Sequence, residues 1–451
     1  MIQTIKQGLL DIRYDLYLLA FVGLTFLSYI GIFQDFLMPL LVGIGVLVIL
    51  GGGSVFYIIP IPFFVQMSFS DLRDDVRVTT IYTIVFTVLI VADMLKNRTI
   101  TRRGHLTIPL AILVGLSVLT HINSPDLFTT FAGFMQVASV LGLYFYFINT
   151  LDSKDDNFRY VSKMMMYIGV LVSLEMMYFI YDADELVTTV IRTRQIDLGW
   201  ENLNIIIYAN LMSIPLIAYL IHESKVKFFY MVFALLNMIG IFLTLSRSSV
   251  LTLVVFVLVL LPTMFVLSKQ RKWLLVQGLV FVGMVALTVY VVESRYQLLS
   301  EYLDALNARD LTYVDDRLAI LGVAWDRLLE YPLFGGGGLY SSRVHLADAG
   351  FSAVNYHNTL AQASALGFAG VLGFFYLFLR KTELIMLSKS PFKWYALILI
   401  FVTAFVNGAL QPMYFYTTYM VFLFLVLAAI EVNITPGADS LKWVVHDRIK
   451  R

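Results

Sequence analysis

The sequence predicts an all-α integral membrane protein that crosses the bilayer many times. Of its 451 residues, 59% are hydrophobic and only 14% are charged, which is too apolar for a water-soluble protein. The apolar residues fall into runs close to the ~20 residues that a helix needs to cross hydrocarbon. A net charge of +1 indicates no nucleic-acid partner. The absence of cysteine excludes disulfides, thiolate metal sites and a cysteine nucleophile.

The apolar runs predict twelve to fourteen transmembrane helices. The count depends on residues 36–69, where the glycines at 51–53 and the prolines Pro60 and Pro62 interrupt the run, so one kinked span with a re-entrant piece is an alternative to two spans. The runs lie at 12–33, 36–50, 54–69, 78–95, 106–121, 128–149, 159–180, 203–222, 227–244, 249–268, 273–293, 357–380, 391–410 and 413–431.

The basic residues predict the orientation of these helices. Short cytoplasmic loops are enriched in lysine and arginine, and one assignment of sides places all 13 lysines in the cytoplasm. The opposite side then carries ten arginines and no lysine. We therefore expect a multi-pass membrane protein whose functional face is turned away from the cytoplasm.

Three regions follow from this topology. Residues 1–293 hold the N-terminal transmembrane helices, 294–356 form one long extracytoplasmic loop, and 357–451 hold the C-terminal helices and a cytoplasmic tail. The loop contains eight acidic residues and five arginines, which makes it the expected place for chemistry. Within it, residues 317–332 have apolar positions at helical spacing and end at a proline, so they predict an amphipathic helix on the membrane surface.

Arginine is the first candidate for ligand binding on the outer face. Its guanidinium presents a rigid fork of donors that matches phosphate oxygens two at a time. Arg247 follows an apolar run with no acid nearby, which favours an oxyanion site over its alternative, contact with lipid headgroups. Arg317 begins the amphipathic helix, where an ion pair with the two preceding aspartates is the alternative. Arg192 and Arg194 lie in another outward loop and are weaker candidates, since solubility alone explains them.

A glycine run and a histidine complete the set of candidates. The run 335–338 includes Gly335 and Gly337, whose backbone can approach an anion closely, although a simple turn is the alternative. Of the six histidines, His121, His345 and His357 fall outside the cytoplasm. His357 lies where the loop meets the span at 357–380, a boundary that suits a general base with a pKa near neutrality. Helix capping is its alternative role.

Four short motifs resemble those of the bacterial O-antigen ligases and O-antigen polymerases. They occur in the family's order, on one predicted side of the membrane, within residues ~240 to 370. The family usually follows its His-Asn pair with Leu and then Glu-x-Gly, whereas this chain has Ala365-Leu366-Gly367 and lacks the acid; another residue, such as Gln362 or Glu301, would then orient the base. The four motifs are Ser246-Arg247-Ser248, Arg317, Pro332-Leu333-Phe334-Gly335 with Gly337, and His357-Asn358.

The resemblance implies a membrane glycosyltransferase of C-type architecture without metal or other cofactor. It also implies a place in the bacterial cytoplasmic membrane, with the active site facing the periplasm or the cell exterior. Such an enzyme takes a glycan from undecaprenyl pyrophosphate among the membrane lipids, with His357 as base and Arg247, Arg317, Arg192 and Arg194 holding the pyrophosphate. Polymerisation of lipid-linked repeat units, with a chain-length regulator as a further partner, is the first expectation. A ligase that transfers the glycan to lipid A-core or another surface acceptor is the alternative. A lipid-linked oligosaccharide transporter is a lesser one, because the chain shows no repeated halves and few ionisable residues within spans.

Overall fold

A computed structural model gives the fold of most of the chain. Every regular element in its described part is helical, in agreement with the predicted all-α class. The structure describes residues 2–32, 34–50, 55–61, 64, 88, 90–94, 104–124, 126–151, 156–182, 198, 203–224, 227–244, 246–268, 271–296, 300, 312–351, 353, 355–411 and 417–434.

The helices follow the apolar runs of the sequence closely. Two variants occur among them: a 3₁₀ turn at Thr120–Asn123 and a π-helical turn at Thr403–Asn407. The α-helices are α1 Ile2–Tyr29, α2 Gln34–Leu50, α3 Val55–Ile58, α4 Thr107–Leu119, α5 Leu127–Thr150, α6 Asp156–Asp182, α7 Leu203–Glu223, α8 Lys227–Leu243, α9 Arg247–Leu267, α10 Arg271–Tyr296, α11 Thr312–Glu330, α12 Ser342–Asp348, α13 Thr359–Ser364, α14 Gly367–Leu387, α15 Phe392–Val402 and α16 Thr417–Ile434.

Two of these helices are long and apolar enough to cross a membrane, at Asp156–Tyr181 and Arg247–Leu267. Other apolar helices in the described part are shorter, at 10–17 residues. The predicted span at 78–95 lies mainly outside the described residues, as does the tail after Ile434.

The expected continuous span over 357–380 is wrong. The structure has the short helix α13, a turn at Ala365 and Leu366, and then α14 from Gly367. Gly367 has a φ of 74°, and a Cβ there would overlap the carbonyl group of Leu333. A close backbone contact therefore breaks the helix at this point, and His357 lies in a non-helical connection well before the long helix begins.

The amphipathic helix expected at 317–332 is present as α11, which starts earlier, at Thr312, and ends before Pro332. Ile320 and Ala324 are buried in a cluster with Leu346 and Tyr356, whereas Trp325 is 56% exposed.

The chain divides into two compact units, residues 1–96 with 159–309 and residues 97–158 with 310–451. In the first unit, α6, α7 and α8 share a buried polar network. The Asn210 amide donates to the Ser173 hydroxyl at 2.8 Å and to the Gly169 carbonyl at 3.2 Å, and the Ser213 hydroxyl donates to Asn237 Oδ1 at 2.6 Å. Side-chain hydrogen bonds of this kind hold apolar helices together where hydrophobic contrast is small.

The second unit positions the candidate active site. In it α5 packs against α4 and α16, α4 packs against α14, and α11 packs against α12 and α13. The connections between these short helices gather in one place: the glycine run after α11, the segment 355–358 before α13, and the turn 407–411 after the π-helical turn. The glycine motif and the His357-Asn358 pair lie on these connections.

Candidate active site

His357 has an unusual backbone conformation. Its φ is 51°, and among the described residues it is the one non-glycine with positive φ. A left-handed conformation costs an L-residue roughly 1–2 kcal/mol. The His357 N–H donates to Asn355 Oδ1 at 3.0 Å, which helps to hold this turn. A strained backbone conformation persists only where the surrounding structure holds it in place. Such residues occur often at functional sites.

The imidazole of His357 is half-buried, and the protein engages one of its two nitrogens. Nδ1 lies 3.4 Å from Gln411 Oε1, and Nε2 makes no hydrogen bond with any described residue. Burial lowers the pKa of His357 below its ordinary value of 6.5; the Gln411 contact opposes this, and the positive charge of Arg317 adds to it. The ring is therefore neutral at neutral pH and has a nitrogen available to accept a proton.

Asn358 fixes the segment that carries this histidine. Its Oδ1 accepts from the N–H groups of Leu360 and Ala361 at 2.8 and 3.1 Å, so it is the N-cap of α13. Its amide also donates to the Ala409 carbonyl at 3.1 Å. The asparagine of the His-Asn motif thus links the turn of His357 both to a helix and to the 407–411 turn.

His345 has a different environment. It is only 4% exposed, its Nδ1 lies 2.9 Å from the Tyr356 hydroxyl, and the ring also hydrogen-bonds to the backbone of Gly336. Burial lowers its pKa, with a further lowering from Arg327. Because the protein engages both ring nitrogens, His345 is suited to holding the loop together, whereas His357 is suited to accepting a proton.

The glycine run packs inside the fold. The N–H of Gly335 donates to the Tyr331 carbonyl at 3.0 Å, and its own carbonyl accepts from the Asn123 amide at 3.1 Å. The Gly337 carbonyl accepts from the Thr130 hydroxyl at 2.6 Å. Gly335 and Gly337 have φ values of 72° and 113°, which side chains other than glycine rarely adopt. These contacts give both glycines a packing role, and the Gly335 N–H is already engaged.

The candidate arginines are distributed between the two units. Arg317, on α11, is half-buried and lies within electrostatic reach of His357. Arg247 is exposed and is the first residue of α9 in the first unit. Arg192 and Arg194 lie outside the described residues.

An apolar cleft of about 360 Å³ opens beside the His-Asn pair. It lies between α11, α13 and α14, and Asn358 is a polar residue on its wall. Three of its large apolar side chains remain exposed: Trp325 at 56%, Leu360 at 44% and Phe368 at 45%. The cleft could therefore take an apolar chain whose polar end lies near His357.

Sequence reasoning missed Gln411, Tyr356 and the role of Gln362. Gln362 does not contact the His357 ring: its Oε1 accepts from the Tyr356 N–H at 3.2 Å, and its amide donates to the Ser342 hydroxyl at 3.1 Å and to the Leu339 carbonyl. Glu301 lies outside the described residues. Gln411 carries a detectable signal, since it belongs to a short polar break between the apolar runs 391–410 and 413–431.

One comparison with known proteins matches part of the chain. Residues 231–378 match the family model described as O-antigen ligase. This segment contains Arg247, Arg317, Gly335, Gly337 and His357, and the match supports a membrane protein of the glycan-handling class. It also supports the assignment to the O-antigen ligase and polymerase family that the motifs suggested. No curated protein matches the chain.

Proposed function

We propose that this protein is a glycosyltransferase that polymerises undecaprenyl-pyrophosphate-linked oligosaccharide repeat units on the outer face of the bacterial cytoplasmic membrane. The observation that carries the proposal is the state of His357: a strained backbone, a neutral ring, and an Nε2 with no hydrogen bond to the described residues. A general base needs such a nitrogen within reach of substrate.

In the proposed reaction, His357 Nε2 takes the proton of an acceptor sugar hydroxyl. The hydroxyl oxygen forms a bond to the anomeric carbon of the donor, and the bond between that carbon and the pyrophosphate oxygen breaks. The electron pair leaves with undecaprenyl pyrophosphate, and the proton stays on the imidazolium until solvent removes it. Attack from the face opposite the leaving group inverts the anomeric configuration, and no covalent glycosyl-enzyme forms.

The arginines are proposed to stabilise the negative charge that develops on the leaving pyrophosphate, without a metal ion. Arg317 is supported by its position near His357. Arg247, the first residue of α9, is included on the resemblance. Arg192 and Arg194 are included on the resemblance alone.

The apolar cleft supports a lipid-borne donor. Its exposed apolar side chains on α11, α13 and α14 would contact the isoprene units next to the pyrophosphate, which places the sugar end towards Asn358 and His357. The donor would then enter from the bilayer and the acceptor hydroxyl from water. Entry from both sides is consistent with the position of His357, which lies on a connection between helices and not within a helix.

Ligation is the alternative reaction of the same site, with lipid A-core or another surface molecule as the acceptor. An assay with purified protein in lipid vesicles separates the alternatives. Undecaprenyl-pyrophosphate-linked repeat units alone should give a ladder of longer lipid-linked glycans, which is the expected result. Transfer only when lipid A-core is added would show a ligase. Vesicles that move the glycan across the membrane without changing its length would contradict both, and would favour a transporter.

A further inference from the structure

The contact between His357 and Gln411 favours one tautomer of the imidazole. Gln411 Oε1 faces Nδ1 at 3.4 Å. An amide oxygen accepts a hydrogen bond, so in this arrangement the favoured tautomer carries its proton on Nδ1 and leaves Nε2 unprotonated. With the other tautomer, Nε2 would already hold a proton and could not take one from a hydroxyl.

The 407–411 turn holds Gln411 firmly enough for this role. Gln411 is only 5% exposed, and its N–H donates to the Asn407 carbonyl at 2.8 Å. The Thr359 N–H donates to the Gly408 carbonyl at 2.7 Å, and the Thr359 hydroxyl donates to the Gln411 carbonyl at 3.2 Å. These bonds join the turn directly to the segment that carries His357. The π-helical turn at Thr403–Asn407 leads into it, and such turns occur often at functional sites.

We propose that Gln411 is a positioning residue that holds His357 in the tautomer with Nε2 free to act as base. The inference rests on the proposed role of His357. It assigns to a neutral amide, on the turn between α15 and α16, the task of orienting the imidazole. In this role Gln411 acts through the ring of His357.

Because Gln411 is uncharged, it does not stabilise the protonated form of the His357 ring as a carboxylate would. Among the described residues, the charged group that faces the His357 ring is Arg317 from α11, and it disfavours the imidazolium. Gln411, from the 407–411 turn, presents an amide to the ring, and Asn355 accepts from the His357 backbone N–H; neither side chain is a carboxylate. A carboxylate in place of the amide would stabilise the imidazolium and keep the ring protonated to higher pH.

Gln411→Glu is therefore the most informative variant, because it preserves size and shape. A carboxylate within ~4–6 Å of an ionisable group shifts its pKa by about 1–3 units. The base must be neutral to act, so wild-type turnover should fall as the pH drops through the His357 pKa, which lies below 6.5. In Gln411→Glu this acid limb of the kcat profile should move up by about one pH unit or more. An unchanged limb would overturn the proposal.

Gln411→Leu tests positioning without a change of charge. Loss of the hydrogen bond that orients an imidazole typically costs about 10–100-fold in activity at metal sites, and we expect a similar fall in kcat with little change in KM. The same substitution in a His357→Ala background should have no further effect, because there is then no ring to orient. A full additional loss in that background would show that Gln411 acts only through the fold.

Two controls separate the failure of this inference from failure of the proposed function. Thr359→Val removes the hydroxyl bond to the Gln411 carbonyl but leaves the ring contact, and it should keep the wild-type pH profile. A shifted profile in Thr359→Val would mean that loosening the turn is sufficient, against the proposal. His357→Ala with wild-type activity would instead refute His357 as base, whatever the Gln411 variants do.

Discussion

The chemistry of the site depends on single atoms of a few residues. His345 and His357 belong to the same loop region, but the protein engages both ring nitrogens of His345 and only Nδ1 of His357. The sequence indicates His357 as the candidate base by its position at the end of the loop. The contacts that explain the selection, from Asn355 and Gln411, join residues whose side chains the sequence gives no reason to pair.

The guanidinium of Arg317 should be needed for its shape as well as its charge. Lysine keeps the charge but loses the fork that binds two phosphate oxygens at once. One hydrogen bond to a charged group contributes about 1.5–3 kcal/mol, so Arg317→Lys should lower kcat/KM by roughly 10- to 100-fold. The measurement is the initial rate of glycan transfer by purified enzyme.

The matched control is Arg327→Lys on the same helix. Arg327 forms ion pairs with Glu330 at 2.7 Å and with Asp348 at 3.8 Å, and exposed pairs of this kind contribute little. Its lysine variant should keep nearly all activity. Equal losses in the two variants would argue against an oxyanion role for Arg317.

At the scale of elements, the turns of the second unit were harder to predict than its helices. Helices follow from runs of apolar residues, so α11 was expected, with only its boundaries in error. The break between α13 and α14 was not expected, because it depends on a backbone contact between two segments distant in sequence. The Phe368 N–H donates to the Pro332 carbonyl at 2.8 Å, which ties the glycine-containing turn to the start of α14.

Gly335→Ala should destabilise the protein. Its φ of 72° is strained for alanine, and a Cβ there would overlap the Ala365 carbonyl. We expect a loss of at least about 1–2 kcal/mol from the conformation alone, seen as a lower midpoint of thermal unfolding in detergent.

Gly322→Ala, within α11, is the control. A Cβ at that position meets nothing within 4 Å, and glycine within a helix is less stable than alanine by roughly 0.5–1 kcal/mol. This variant should unfold at the same or a slightly higher temperature. A Gly335→Ala variant as stable as Gly322→Ala would show that the contact between the two turns is not formed.

For the whole molecule, the distribution of lysine and arginine predicts that the site faces away from the cytoplasm. The side of the membrane depends on loop charges that act during insertion, so this claim comes from sequence and not from packing. α14 offers a test, because the loop charges predict that the residues before it face away from the cytoplasm and that the residues after it lie in the cytoplasm.

The absence of native cysteine allows the two ends of α14 to be labelled separately. In intact cells, a membrane-impermeant maleimide should label Ala347→Cys, an exposed position before α14. It should label Lys389→Cys, an exposed position after α14, only once the cytoplasmic side is opened. The reverse pattern would place the site in the cytoplasm and would exclude the proposed donor side.

The most direct test of the central claim is turnover by His357→Ala alongside binding of the lipid-linked donor. General-base catalysis typically contributes about 10²–10⁴-fold, so the variant should lose activity by that factor while it binds donor as the wild type does, because the arginines and the apolar cleft remain. His121→Ala is the control, since that histidine bonds to the carbonyls of its own helical turn, Ser117 and Val118, at 3.1 Å each; it should keep its activity. Near-normal glycan transfer by His357→Ala, with normal donor binding, would contradict the account.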